Sequence, residues 1–163
     1  MTNVKARRNR LGVDVGRRAL GAQVGEAPTE GVVSSIAANF DPFDEFNILR
    51  LICGLFLVPH CYAKFYVPAA LQFWVAAGFK PPKPWMYFAG AIEALLAIAL
   101  ILGIFVTLSG AIAAFHLTVA AVAVYRLTGK YLWNIGGYEF CLFWAICCWV
   151  VAMHSYYAGG IWH

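Results

Sequence analysis

The stretch Leu55–Val67, "LFLVPHCYAKFYV", decides how this chain is read. It is mostly apolar, yet Pro59, His60 and Lys64 sit within it. A lipid-facing helix has no use for that trio. An ionisable group at mid-bilayer costs about 2.5–3.5 kcal/mol on insertion scales, so such groups turn to the bundle interior and find partners there. The first question is therefore whether the stretch crosses a membrane.

Composition says that it does. Of the 163 residues, 62% are hydrophobic and 12% charged, with a mean hydropathy of +0.70. Soluble domains run nearer 45–50% apolar and about 25% charged. Four apolar segments follow a polar beginning: Ile48–Val67, Trp85–Val106, Ser109–Leu127 and Ile135–Tyr157. Each approaches the roughly 20 residues that a helix needs to cross the hydrocarbon. Backbone groups in lipid must be bonded internally, so each span is helical. The expected fold is all-α: a four-helix transmembrane bundle with a polar N-terminal extension. An interfacial helix is expected between spans one and two, where "PAALQFWVAAGFKPPKP" is amphipathic, aromatic and closed by prolines. Only "TLSG" separates the second and third spans, which predicts a tight hairpin there.

The extension, residues 1–47, carries six Lys/Arg and six Asp/Glu, so residues 48–163 supply the whole net charge of +4. That charge is read as membrane topology, and nucleic acid is not an expected partner. Arg17 and Arg18 are twin arginines, but Glu26, Pro28 and Glu30 interrupt the apolar run that an export signal needs. No apolar h-region of a cleavable signal precedes the spans. "FDPFDEF", Phe40–Phe46, suits an interfacial segment or the N-cap of the first helix. Seven Lys/Arg (the six of the tail and Arg50) face four on the other side (Lys80, Lys83, Arg126 and Lys130). This predicts both termini in the cytoplasm. Trp74, Trp85, Trp133 and Tyr131 would form an outer aromatic belt.

His60 and Lys64 are four apart and share a helix face. Pro59 removes one backbone bond beneath them and predicts a kink. Their candidate partners are Glu93 in span two, His116 in span three and Glu139 early in span four. Lys64 comes late in an outgoing helix, while Glu93 and Glu139 come early in returning ones, so their depths match. A Lys–Glu cluster is expected, with His60 and His116 nearer the middle. Two readings stay open: a cluster that only holds the bundle together, or a functional pocket. Gly110, Ala113, Ala114, Ala120 and Ala123 give span three a narrow face for close packing.

Other chemistries lack their residues. The five cysteines lie in apolar runs without a CxxC or zinc spacing, and no metal site is expected. Adjacent Cys147 and Cys148 point in different directions on a helix, so the usual thiol–disulfide relay is absent. His60, His116 and His154 could pair for a b-type haem, but their depths do not match, and haem is not expected. No phosphate loop, dinucleotide fingerprint or hydrolase elbow is present.

Together these residues resemble the DoxX family of small four-helix membrane proteins. Its first helix ends in an HG-x-x-K type motif, met here by His60, Cys61 and Lys64, with cysteine replacing glycine. Gly90, Glu93 and Gly103 follow its second-helix pattern, and Gly136, Gly137, Tyr138 and Glu139 its "GGYE" type motif. The likeness covers about Phe46–Tyr157. It implies a bacterial inner-membrane protein in a redox complex, such as the small subunit of thiosulfate:quinone oxidoreductase or a thiol or oxidative-stress assembly. His60, Lys64, Glu93, His116 and Glu139 would then handle a quinone headgroup or protons, and the electrons would come from a partner or a substrate, because the chain carries no electron-carrying group of its own. Whether the chain is itself an oxidoreductase subunit is left open by the resemblance. The rival is a structural or assembly subunit with no chemistry of its own. A small transporter is a third reading, although the spans show no clear inverted repeat.

Overall fold

The computed structural model describes residues 39–161. The twin arginines and the rest of the tail up to residue 38 lie outside them. Among the described residues there are five α-helices and no strand. They are α1 (Glu45–Tyr66), α2 (Ala70–Ala76), α3 (Pro82–Leu102), α4 (Val106–Thr128) and α5 (Glu139–Gly159). All but α2 are long and apolar enough to cross a bilayer. The chain is thus a multi-pass four-helix bundle.

Local chemistry sets the helix ends. Asp44 caps α1: its carboxylate accepts from the backbone N–H of Phe46 at 2.9 Å and of Asn47 at 3.3 Å. Such a cap is worth about 1 kcal/mol. α1 then runs on through Pro59 to Tyr66 without interruption. Pro82 opens α3, where the missing N–H costs nothing. α2 fills the amphipathic part of the connection between them.

The hairpin between spans two and three is not at "TLSG". It falls at Gly103–Phe105, where Gly103 (φ 72°) and Phe105 (φ 48°) both adopt left-handed backbone. "TLSG" is the first turn of α4. Its hydroxyls are absorbed by the protein: Thr107 Oγ1 donates to the Gly160 carbonyl at 2.9 Å and lies 3.0 Å from Ser155 Oγ. Ser109 Oγ donates back to the Val106 carbonyl at 3.4 Å. The polar residues looked like a loop, while the real turn, "GIF", is too apolar for hydropathy to reveal.

Successive long helices run antiparallel. Arg50 near the start of α1 meets the end of α3, and Thr107 at the start of α4 meets the end of α5. α1 packs most extensively on α3, and α4 on α5, and smaller α3–α4 and α1–α5 contacts close the ring. Leu57, Leu100, Cys53 and Cys148 are buried at its centre. Large apolar residues such as Phe115 (71% exposed) and Leu95 (68%) point outward, as a lipid-facing surface requires.

The narrow face of α4 explains its tight fit to α5. A Cβ on Gly110 would stand 3.0 Å from the Cys148 carbonyl oxygen and 3.1 Å from the Ala152 Cβ. Backbone cannot yield as a side chain can, so Gly110→Ala must separate the two helices. Overpacking of this kind costs about 1–3 kcal/mol. Unfolding in a denaturing detergent should show a midpoint lowered accordingly. An unchanged midpoint would mean that α4 and α5 have slack.

Candidate functional site

The site begins with a close approach of α1 to α3. A Cβ on Gly90 would stand 3.0 Å from the Phe65 ring and 3.1 Å from the Lys64 Cβ. Glycine at this point lets the helices touch. One turn further along α3, the Glu93 carboxylate comes within reach of Lys64. Lys64 Nζ donates to both of its oxygens, at 2.8 Å (Oε1) and 2.7 Å (Oε2). From the other side, His116 Nε2 of α4 lies 2.9 Å from Glu93 Oε1. A carboxylate only accepts, so that nitrogen carries the proton, and in the neutral ring Nδ1 is left as an acceptor.

Three helices are thereby tied to one carboxylate. The Glu93 side chain is 6% exposed, against 15% for Lys64 and 19% for His116. The charges are buried and paired, the condition under which ionisable groups persist inside a membrane bundle. Lys64 Nζ has a third, longer contact of 3.4 Å, to the His60 carbonyl one turn back on α1.

The cluster forms one wall of a cavity of about 320 Å³. Ala63 and His60 of α1, Leu117 and Ala120 of α4, and Cys141 and Trp144 of α5 contribute other walls. Phe73 and Trp74 of α2, with Phe79 just after it, complete the lining. Those aromatics touch in series: Phe73 meets Trp74 edge-on, and Trp74 meets Phe79 at a centroid distance of 4.8 Å. The cavity is thus largely apolar and aromatic, with a small group of convergent polar atoms, the composition of small-molecule sites in general.

Of the five residues picked out from the sequence, the structure joins Lys64, Glu93 and His116 directly. His60 lines the same cavity, its ring 5.3 Å from that of Trp144. Glu139 does not join them. It stands at the start of α5, where its Oε2 accepts from the backbone N–H of Trp133 at 3.4 Å. Among the described residues it has no ion pair with Lys64. Matched depth was a sound guide, but depth does not fix which way a side chain points around its helix. His116 occupies the role that depth had assigned to Glu139. His154 lies far along α5, stacked on Phe46 of α1 at 3.5 Å. Among the described residues no three His, Cys, Asp or Glu side chains are grouped to hold a metal ion.

Two residues escaped sequence reading. Arg50 had counted as an interfacial charge. It is 3% exposed, with its guanidinium donating to the carbonyls of Leu100 and, at 3.0 Å, Ile101 at the end of α3. The signal available was its position inside an apolar run, two residues beyond Ile48. Trp144 was one of six tryptophans and carried no signal at all. It is 4% exposed, lines the cavity, and its indole Nε1 is buried without a hydrogen-bond partner.

Comparison with known proteins adds one match. Residues 46–126, from the second residue of α1 to Arg126 near the end of α4, match the family model described as DoxX. The match contains Lys64, Glu93 and His116 and stops short of α5. No curated protein and no solved structure matches the chain.

Proposed function

This chain is a DoxX-family membrane protein, and from that premise we propose that its cavity receives a quinone headgroup in a membrane redox complex. One observation carries the reading. A carboxylate holding two nitrogen cations or donors, Lys64 and His116, lines an otherwise apolar and aromatic cavity of about 320 Å³. Ligand pockets begin at about that size. A quinone ring is flat and apolar with carbonyl acceptors, so it suits aromatic walls and charge-assisted donors.

The bound quinone supplies the capacity to take up and release electrons with protons. The chain's part is to bind, orient and handle protons. Glu93 fixes Lys64 and His116 in place. The weakest bond of Lys64, to the His60 carbonyl, is the one that a ligand carbonyl would replace. His116 Nδ1 takes up or gives a proton while Nε2 stays on Glu93. His60 extends that path along the cavity wall. Electrons come from a protein partner, which makes this chain a subunit or accessory of a larger complex. The setting is the inner membrane of a bacterium, with both termini in the cytoplasm.

The test is binding of a short-chain benzoquinone to the protein in lipid nanodiscs. Lys64→Ala and Glu93→Gln should each insert normally and lower the affinity roughly 10- to 100-fold, the worth of a charge-assisted hydrogen bond. Equal affinity in wild type and both variants would sink the proposal. A structural reading has its own support, because Lys64, Glu93 and His116 already satisfy one another without a ligand. It gains if the wild type binds no quinone and instead purifies in mild detergent as a stoichiometric part of a larger assembly.

A further inference from the structure

The cavity is uneven around its wall. Its charged groups, Lys64 and Glu93, meet at His116. One and two turns beyond His116, α4 lines the cavity with Val119, Ala120, Ala123 and Val124 alone. α3 adds nothing to the lining beyond Glu93, and α2 brings Phe73 and Trp74 instead. This part of the wall is loosely closed. α3 and α4 are joined at the opposite end of the bundle, and they pack on each other less than α1 on α3 or α4 on α5. α2 packs on α3 and slightly on α1, and less on α4 than on either. None of its residues is buried. Val119 lines the cavity and is nevertheless 47% exposed. It stands near the middle of α4, so the space it opens toward is at the level of hydrocarbon and not of water.

Resting on the quinone-headgroup reading above, we infer that the ligand is a lipid-borne quinone whose isoprenoid tail stays in the bilayer, leaving the cavity between α2 and α4. The ring reaches Lys64 and His116. The tail passes Val119 and Ala123 on one side and Phe73 and Trp74 on the other. A cavity of about 320 Å³ holds a ring, and a chain of many prenyl units has to lie outside it. Every side chain named along this slot is apolar, so a ligand already dissolved in the bilayer meets it sideways without crossing water. Lipid tails are as apolar as these side chains, and a longer tail therefore gains no affinity from the slot. The signature of the slot is tolerance of tail length.

The experiment measures binding in lipid nanodiscs, with quinone counted per lipid. The probes are a tail-free methylated benzoquinone and the same ring with an octaprenyl tail. Wild type should bind both, with affinities within roughly threefold. Ala123→Phe sets a ring in the slot and should weaken the octaprenyl quinone roughly tenfold more than the tail-free one. A second readout needs only the wild-type protein if that variant unfolds. A photoreactive diazirine on the tail, close to the ring, should label α2 and Val119–Val124. Label on Phe56 or Phe140 instead would place the exit between α1 and α5, beside His60, the other exposed lining residue, and would overturn the inference. A wild type that binds the tail-free ring and rejects the tailed one also overturns it, as do equal losses in Ala123→Phe. Each of these leaves the headgroup reading standing. A wild type that binds neither probe removes both.

Discussion

Glu93→Ala is expected to destabilise the bundle by about 3–5 kcal/mol, the usual result of removing one partner from a buried ion pair. Glu93 accepts both close bonds of Lys64 and the bond from His116. Without it, two nitrogen groups from α1 and α4 are left in an apolar interior with no carboxylate between them. Lys64 has only its 3.4 Å contact with the His60 carbonyl to fall back on. Unfolding by a denaturing detergent, followed by helical circular dichroism, measures the loss. The double variant Lys64→Met with Glu93→Leu should recover the share of the loss owed to Lys64, because apolar residues of similar volume replace a buried pair at little cost, while His116 stays without its acceptor. Recovery of stability without recovery of quinone binding would separate the structural role of the cluster from its chemistry. A Glu93→Ala protein within about 1 kcal/mol of wild type would mean that water reaches the cluster and that it is not the interior pair described here.

Arg50→Ala is expected to cost about 3 kcal/mol. Its guanidinium bonds the carbonyls of Leu100 and Ile101, which lie in the last turn of α3 and have no helical donor. Asn47 Oδ1, 3.4 Å away, steadies it from within α1. Hydrogen bonds from a charged group contribute about 1.5–3 kcal/mol each. Arg50→Lys should recover less than half, since an ammonium cannot span two carbonyls as a planar fork does. The same unfolding measurement decides. A lysine variant as stable as wild type would show that charge alone matters at this position.

The same residue shows where sequence reading reaches its limit. Arg50 entered the count of cytoplasmic charges because it stands near the start of a span. In the fold it is an interior cap on a neighbouring helix. Linear position gave its depth, and contact with α3 gave its role. Reading Phe40–Phe46 as an interfacial segment or the N-cap region of the first helix needed no such contact, because a cap acts on its own helix within three residues, and the structure places that cap at Asp44. The four spans were legible for the same reason: length and apolar content are properties of one segment at a time. The misplaced hairpin had the opposite cause. Thr107 and Ser109 look like turn residues until Ser155, Gly160 and Val106 are seen to satisfy them.

The sequence by itself determined that the chain crosses a membrane four times, that its helices are followed or joined by short turns, and that ionisable residues lie within the spans. Those facts follow from what each segment must do in lipid. Only the tertiary structure decided which ionisable residues meet. It joined Glu93 to His116 and left Glu139 at the rim beside Trp133. It also set an unpartnered indole on the wall of the same cavity. The physical reason is that depth along the bilayer normal is written in residue number. The direction a side chain faces, and the neighbour it finds, depend on how helices nest, and here that nesting turns on the bare backbone at Gly90 and Gly110.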